Sequence, residues 1–193
     1  MKIQISLLMI ILVVVGCSSN PTLTATSAPS QATAKPSISS AGMTTYVDKR
    51  SGIAFDYPNS WTMIEPSADD AVIYSYSIAS FDMNNKAGIG KESASGVPPG
   101  ETKIDITFYS TDETPDSARR TVQSDVDSGF AIVTKEETRT APDGSTAYYY
   151  EIQGRIGGAA RVIYTRINGH TVGVVAYGSG EDFEAIVKSL RQG

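Results

Sequence analysis

The sequence is poor in the residues that form disulfides and metal sites. Its 193 residues include one cysteine, Cys17, and one histidine, His170. A single cysteine excludes an internal disulfide, and a single histidine supplies too few ligands for a zinc site, which takes four ligands such as Cys and His. We therefore expect a domain that is stabilised by an ordinary hydrophobic core and that holds no metal or other cofactor.

The chain also lacks an excess of positive charge. It carries 16 Lys and Arg residues against 21 Asp and Glu residues, for a net charge of −5. Nucleic-acid-binding domains present a basic patch or stripe, so this balance argues against nucleic acid as a partner. It argues equally against electrostatic attraction to anionic lipids.

No apolar run is long enough for a transmembrane helix, which needs about 20 residues. The run at 3–15 follows Lys2 and ends at Gly16 and Cys17, which is the layout of a secretory signal peptide. Val14-Val15-Gly16-Cys17 also resembles the lipobox of bacterial lipoproteins, in which the cysteine accepts diacylglycerol. We expect residues 1–16 to be removed and Cys17 to anchor an extracytoplasmic protein to the cell membrane, inner or outer. The alternative is an ordinary signal peptide with a stray cysteine.

Residues 17–45 contain the predicted anchor and a segment of Ser, Thr, Ala and Pro. Such a composition cannot bury enough apolar surface to offset the entropy lost on ordering. We therefore predict a disordered tether over 17–45 and a folded domain over 46–193.

Alternating apolar residues predict strands in the domain. Ile104, Ile106 and Phe108 share one face of a predicted strand, and Val72, Tyr74, Tyr76 and Ile78 share a face of another. Further strands are predicted at 130–138, 145–153, 159–167 and 170–177. The dipeptides Asp143-Gly144 and Asn168-Gly169 are typical of the turns that join hairpin strands.

Two helices are predicted among these strands. Thr114 and Pro115 indicate a helix start and Gly129 its end. Near the C-terminus, Ser179 and Asp182 resemble a capping box, and a single apolar face follows at Phe183, Ile186, Val187 and Leu190. The predicted fold class is α+β: a mostly antiparallel sheet flanked by helices.

The motifs at both ends of the domain resemble the PsbP-like family. The first comprises Tyr46-Val47-Asp48, then Gly52 to Pro58, then Trp61, and the second is the closing helix from Phe183 to Leu190. The resemblance implies an α-β-α sandwich, and the lipobox and tether resemble the bacterial lipoprotein branch of that family. The family also includes an extrinsic photosystem II subunit, but no residue here points to a photosystem partner. A shared fold does not determine function.

No catalytic motif is recognisable in the sequence. The Gly-x-Ser-x-Gly turn of serine hydrolases is missing. Gly88-Ile89-Gly90-Lys91 departs from the phosphate-binding loop because Glu92 stands where Ser or Thr belongs. We predict a protein that is not an enzyme and has no catalytic residues.

Three regions are candidate contacts with a partner. The first is the Gly/Ser/Pro-rich loop at 84–101, which carries Lys86, Lys91 and Glu92, because long loops are often functional. The second is Tyr149, since tyrosine is enriched at interfaces, although Tyr148 to Tyr150 also suit a half-buried strand. The third is the predicted hairpin tip at Asn168 and His170, for which hairpin geometry and solvent exposure are sufficient explanations.

The predicted function is a non-catalytic, lipid-anchored accessory or binding module of an envelope protein complex. The alternative is a lipoprotein that binds a small molecule or metal ion and supports transport or envelope stress functions. An exposed aromatic patch would favour the first function. A cleft with convergent polar groups would favour the second.

Overall fold

A seven-stranded antiparallel sheet forms the centre of the domain. The computed structural model describes residues 42–66, 72–84, 96–155 and 158–193. The strand order is β3-β4-β5-β9-β8-β7-β6. Its strands are β3 (Thr62–Ile64), β4 (Tyr74–Ala79), β5 (Thr102–Phe108), β6 (Ala131–Thr140), β7 (Thr146–Gly154), β8 (Gly158–Ile167) and β9 (His170–Gly178).

A second, three-stranded antiparallel sheet has the order β1-β2-β10. It consists of β1 (Met43–Asp48), β2 (Ile53–Pro58) and β10 (Arg191–Gln192). Strand β10 was not predicted, because two residues are too few to give a periodic pattern. Strand β1 begins at Met43, so residues 43–45 form part of a strand, although the sequence analysis assigned them to the tether.

The alternation of side chains gives the large sheet two buried faces. Ile104, Ile106 and Phe108 are fully buried on the first face, as predicted. Tyr150 and Tyr164 belong to a separate cluster on the second face. Tyr149 packs in the first cluster, so it lies on the opposite face from its neighbours Tyr148 and Tyr150.

The small sheet and helix α3 (Phe183–Ser189) cover the first face. Phe183 and Ile186 are fully buried, and the ring centroid of Phe183 lies 6.2 Å from that of Tyr149. The apolar face predicted for the closing helix is therefore confirmed. Burial of large apolar side chains of this kind is the main stabilising term of the fold.

Helices α1 (Pro115–Ala118) and α2 (Arg120–Asp127) lie on the second face, where Ala118 and Val122 pack against the sheet. The sequence predicted one helix, but the structure has two. The amide of Val122 donates to the carbonyl of Arg119 three residues back, so the chain makes a tighter turn between the helices. The predicted start is confirmed, because Thr114 forms a capping box with Ser117.

Two further local predictions were wrong. Val72 is 71% exposed, because β4 begins only at Tyr74 and Val72 lies outside the sheet. Ser179 does not cap α3; its hydroxyl lies 2.6 Å from that of Thr102. The N-cap residue is Asp182, which has φ 64° and no side-chain capping bond.

The domain is thus dominated by sheet, with three short helices of four, eight and seven residues among the described part of the chain. This confirms the predicted mostly antiparallel sheet and gives the helices a minor share. Within the described residues, no helix has the length and hydropathy required to cross a membrane.

Candidate functional site

The strongest polar cluster in the described residues surrounds Asp48, at the end of β1. Its carboxylate is 1% exposed and accepts hydrogen bonds from the hydroxyls of Tyr74 at 2.6 Å and Tyr76 at 2.7 Å. The amide and hydroxyl of Ser51 donate to it at 2.8 and 2.6 Å. We call these four residues the Asp48 cluster.

Burial alone would raise the pKa of Asp48, but the hydrogen bonds from Ser51, Tyr74 and Tyr76 outweigh it and hold the pKa below its ordinary value. A buried carboxylate that is ionised and fully hydrogen-bonded has a structural role. The Asp48 cluster fastens the small sheet to β4 of the large sheet.

Asn168 also has a structural contact. Its side-chain amide donates to the carbonyl of Ser51 at 3.1 Å, so the β8–β9 hairpin tip rests on the β1–β2 turn. Asn168 and Gly169 have φ values of 49° and 79°, as the predicted tight turn requires. His170 was expected to be solvated at this tip, but it is half-buried at the start of β9.

Tyr149 does not provide an exposed contact surface. It is 3% exposed, its hydroxyl donates to Glu151 at 2.9 Å, and the Arg139 guanidinium lies 3.8 Å from its ring centroid. Burial and the hydrogen bond to Glu151 raise the pKa of Tyr149 to about 12. The other predicted contacts, Lys86, Lys91 and Glu92, and the predicted lipidation site Cys17, lie outside the described residues.

A cleft of about 300 Å³ opens on the first face, beyond the part that α3 covers. We call it the Glu151–Arg161 cleft, because these two are the charged residues among the described residues that line it. The others are small or neutral: Thr134, Ile152, Gln153, Ala159, Ala160, Ala176, Gly178, Ser179 and Gly180.

The strand register explains both the charges and the hollow. Glu151 of β7 pairs with Arg161 of β8, and Arg161 pairs with Ala176 of β9. Ala159 and Gly178 lie on the same face of the sheet at this end. Ala159 and Ala176 have small side chains, and Phe183 packs two residues back along β7, against Tyr149, so the space above this end of the sheet stays open.

Glu151 and Arg161 have different hydrogen-bond partners although they are opposite each other. Glu151 accepts from the hydroxyl of Tyr149, whereas the guanidinium of Arg161 donates to the carbonyl of Gly180 at 3.0 Å. A side chain at Gly180 would place Cβ 3.2 Å from the Arg161 Nη1, so this glycine lets the guanidinium approach the backbone closely.

Sequence reasoning missed this cleft. The predicted strands at 145–153 and 159–167 contain Glu151 and Arg161, but the pairing of these two residues was not predicted. The open space between them could not be found from strand patterns, because it depends on where α3 ends its cover of the sheet.

A second feature missed by sequence reasoning is an exposed apolar patch at the start of β6. Phe130 is 59% exposed and Ile132 is 68% exposed. Together with Arg155 they line a shallow hollow of about 290 Å³. We call these three residues the Phe130 patch.

Within the described ranges, no group of three or more His, Cys, Asp or Glu residues could hold a metal ion.

Comparison with solved structures finds several matching chains, of which two are described here. The solution structure of cyanobacterial PsbP (CyanoP) from Synechocystis sp. PCC 6803 has a TM-score of 0.46 and 16% sequence identity, over 81% of this chain and 95% of CyanoP. The crystal structure of PA94 from Pseudomonas aeruginosa, a protein of unknown function, has a TM-score of 0.35 and 12% identity, over 74% of this chain and 87% of PA94. No protein-family model matches the sequence, and the search of curated proteins gives no match.

Proposed function

We propose that this chain is a lipid-anchored, extracytoplasmic accessory module of an envelope protein complex, without catalytic activity. The lipobox-like sequence ending at Cys17 supports the anchor, and the motifs from Tyr46 to Trp61 and from Phe183 to Leu190 support a PsbP-like sandwich of the lipoprotein branch. The observation that carries the binding function is the Phe130 patch.

The Phe130 patch has the composition of a protein-contact surface. Aromatic residues and arginine are enriched at interfaces, and large apolar side chains left exposed together mark interaction sites. Phe130 and Ile132 are exposed beside Arg155, which supplies a cation at the rim.

The neighbouring charges favour a protein partner over a lipid surface. Asp125 and Asp127 are exposed at the end of α2, and the Phe130 amide donates to the Asp125 carbonyl. Carboxylates at this position would be repelled by anionic lipids.

The edge of β6 favours binding through side chains and not through strand addition. Lys135, Glu137 and Arg139 form ion pairs along this edge, and charged residues protect edge strands from pairing with another strand. We therefore place the contact at the beginning of β6, because residues 130–132 carry no charge.

Photocrosslinking in native cells tests this proposal. A photoreactive amino acid at position 132 of the full-length chain should give one discrete protein adduct, and Phe130→Ser in the same chain should abolish it. Val72 is the matched control position, because it is a similarly exposed apolar residue. Equal adducts from positions 132 and 72 would show that the Phe130 patch is not the contact.

The Glu151–Arg161 cleft favours a second function, which we propose as the alternative: binding of a small molecule in support of transport or envelope stress functions. Its volume of about 300 Å³ is at the lower limit of the range for small-molecule sites, about 300–1,000 Å³. Two opposite charges line it, and a few polar groups of this kind can fix the orientation of a ligand.

A further inference from the structure

We propose that the Glu151–Arg161 cleft binds a small zwitterion of the α-amino acid class, a proposal that rests on the second function above. Arg161 would hold the ligand carboxylate and Glu151 its ammonium group. The proposal gives the cleft a ligand class, which follows from how its two charges are placed.

Both charged side chains keep hydrogen-bonding capacity after their hydrogen bonds to the described residues are counted. A guanidinium has five N–H donors, and the hydrogen bond to the Gly180 carbonyl involves Nη1. A carboxylate has two oxygens, and Tyr149 donates to Oε1 of Glu151. The remaining donors and the remaining oxygen can bind a ligand.

The strand register places Glu151 and Arg161 close enough for one small ligand to contact both side chains. Residues directly opposite on antiparallel strands have Cβ atoms about 4.5–5.5 Å apart, and Glu151 and Arg161 are such a pair. An α-amino acid carries its ammonium and carboxylate groups on one carbon, so it can contact both side chains at once.

The same arrangement disfavours ligands with one charge. A simple carboxylate bound by Arg161 would lie beside the Glu151 carboxylate, and a simple amine bound by Glu151 would lie beside the Arg161 guanidinium. Like charges at such distances repel each other, which gives selectivity against the wrong ligand.

The walls of the cleft favour a ligand with a small side chain. Ala159, Ala176 and Gly178 form its small-residue floor, and Ser179 and Gly180 form its rim. The space of about 300 Å³ is shared between the ligand backbone and its side chain. L-serine is therefore a suitable probe.

Isothermal titration calorimetry on the purified full-length chain tests the inference, with L-serine, acetate and methylammonium as ligands. We expect L-serine to bind at least about tenfold more tightly than either singly charged probe. Glu151→Gln and Arg161→Gln should each weaken L-serine binding by about tenfold or more, as loss of a charged hydrogen bond implies. Arg161→Lys, which keeps the cation, should weaken binding less than Arg161→Gln.

Arg191→Gln is the matched control, because Arg191 pairs with Asp56 on the small sheet and does not line the cleft. It should leave L-serine binding unchanged. Equal affinities for acetate and L-serine would overturn the zwitterion inference and leave the second function standing. The same conclusion would follow if a neutral probe such as glucose bound and L-serine did not. If none of these small molecules binds the wild-type chain, both the inference and the second function fail.

Discussion

Asp48 shows how a single residue connects two parts of this domain. A carboxylate with 1% exposure would be strongly destabilising without partners, because burial disfavours the charged form. Hydrogen bonds from Tyr74, Tyr76 and Ser51 offset that cost. The rings of Tyr46 and Phe108 pack against those of Tyr76 and Tyr74, which helps to hold the two donating hydroxyls in place.

The lowered pKa of Asp48 predicts a pH dependence of stability. Because the folded-state pKa lies below the unfolded value, this residue stabilises the fold above an ordinary Asp pKa of about 3.9. That stabilisation should be lost as the pH falls through the folded-state pKa. Asp48→Asn should cost about 2 kcal/mol or more at pH 7, since hydrogen bonds to a charged group contribute about 1.5–3 kcal/mol. It should also flatten the pH dependence.

Urea unfolding at pH 7 and pH 3 measures both effects. Asp56→Asn is the control, because Asp56 lies at a more exposed position and pairs with Arg191, where surface ion pairs contribute about 0–1 kcal/mol. The same loss of stability in both variants would contradict a special role for the buried carboxylate.

The sequence analysis singled out three of the four residues of the Asp48 cluster, but it did not bring them together. Asp48 was part of a motif, and Tyr74 and Tyr76 were predicted to share one face of a strand. Their hydroxyls reach Asp48 across 26 and 28 residues of sequence. No local pattern encodes a contact of that kind, because it depends on how β1 packs on β4.

Individual elements were predictable where their residues alternate and where turn residues separate them. Strands β5, β8 and β9 and the Asn168-Gly169 turn follow directly from such patterns. The start of α3 was not predictable by the same rules, since Asp182 adopts a left-handed conformation and makes no capping bond through its side chain. Tertiary packing of Phe183 and Ile186 fixes this helix.

The β9–α3 connection predicts a difference between two glycines with the same backbone conformation. Gly178 and Gly144 both have φ 84°, where any other residue is strained. A Cβ at Gly178 would lie 2.2 Å from the carbonyl oxygen of Glu101, whereas a Cβ at Gly144 would meet nothing within 4 Å. Gly178→Ala should therefore destabilise the domain more than Gly144→Ala by about 1–3 kcal/mol, the usual cost of overpacking.

Urea unfolding of the two variants measures this difference. If both variants have the same dependence of unfolding free energy on urea concentration, the difference between their midpoints gives the difference in stability. The left-handed strain is common to both substitutions, so it cancels in the comparison. Equal midpoints would mean that the connection can move away from Glu101. In that case the rim of the Glu151–Arg161 cleft, which includes Ser179 and Gly180, would not be held rigidly.

At the scale of the whole molecule, incomplete coverage of the large sheet creates the candidate sites. Helix α3 and the small sheet cover most of the first face, but they leave the end that carries Glu151 and Arg161 open. The edge at β6 presents Phe130 and Ile132. The patterns of single elements indicate what each face buries, whereas these openings depend on the lengths and positions of the covering elements.

Attachment to a membrane is the prediction that concerns the whole chain. Residues 1–41 lie outside the described ranges, so the expectation rests on Lys2, the apolar run at 3–15 and the Val14-Val15-Gly16-Cys17 sequence. Cys17→Ala should abolish incorporation of a fatty-acid analogue, because the thiol is the group that accepts diacylglycerol. It should also lower the share of the chain in the membrane fraction, because the lipid on Cys17 is the proposed attachment. Phe130→Ser is the control, and it should keep both the label and the membrane location. Equal labelling of the Cys17→Ala and wild-type chains would contradict the anchor, and the Phe130 patch would then have to act in a protein that reaches its partner without one.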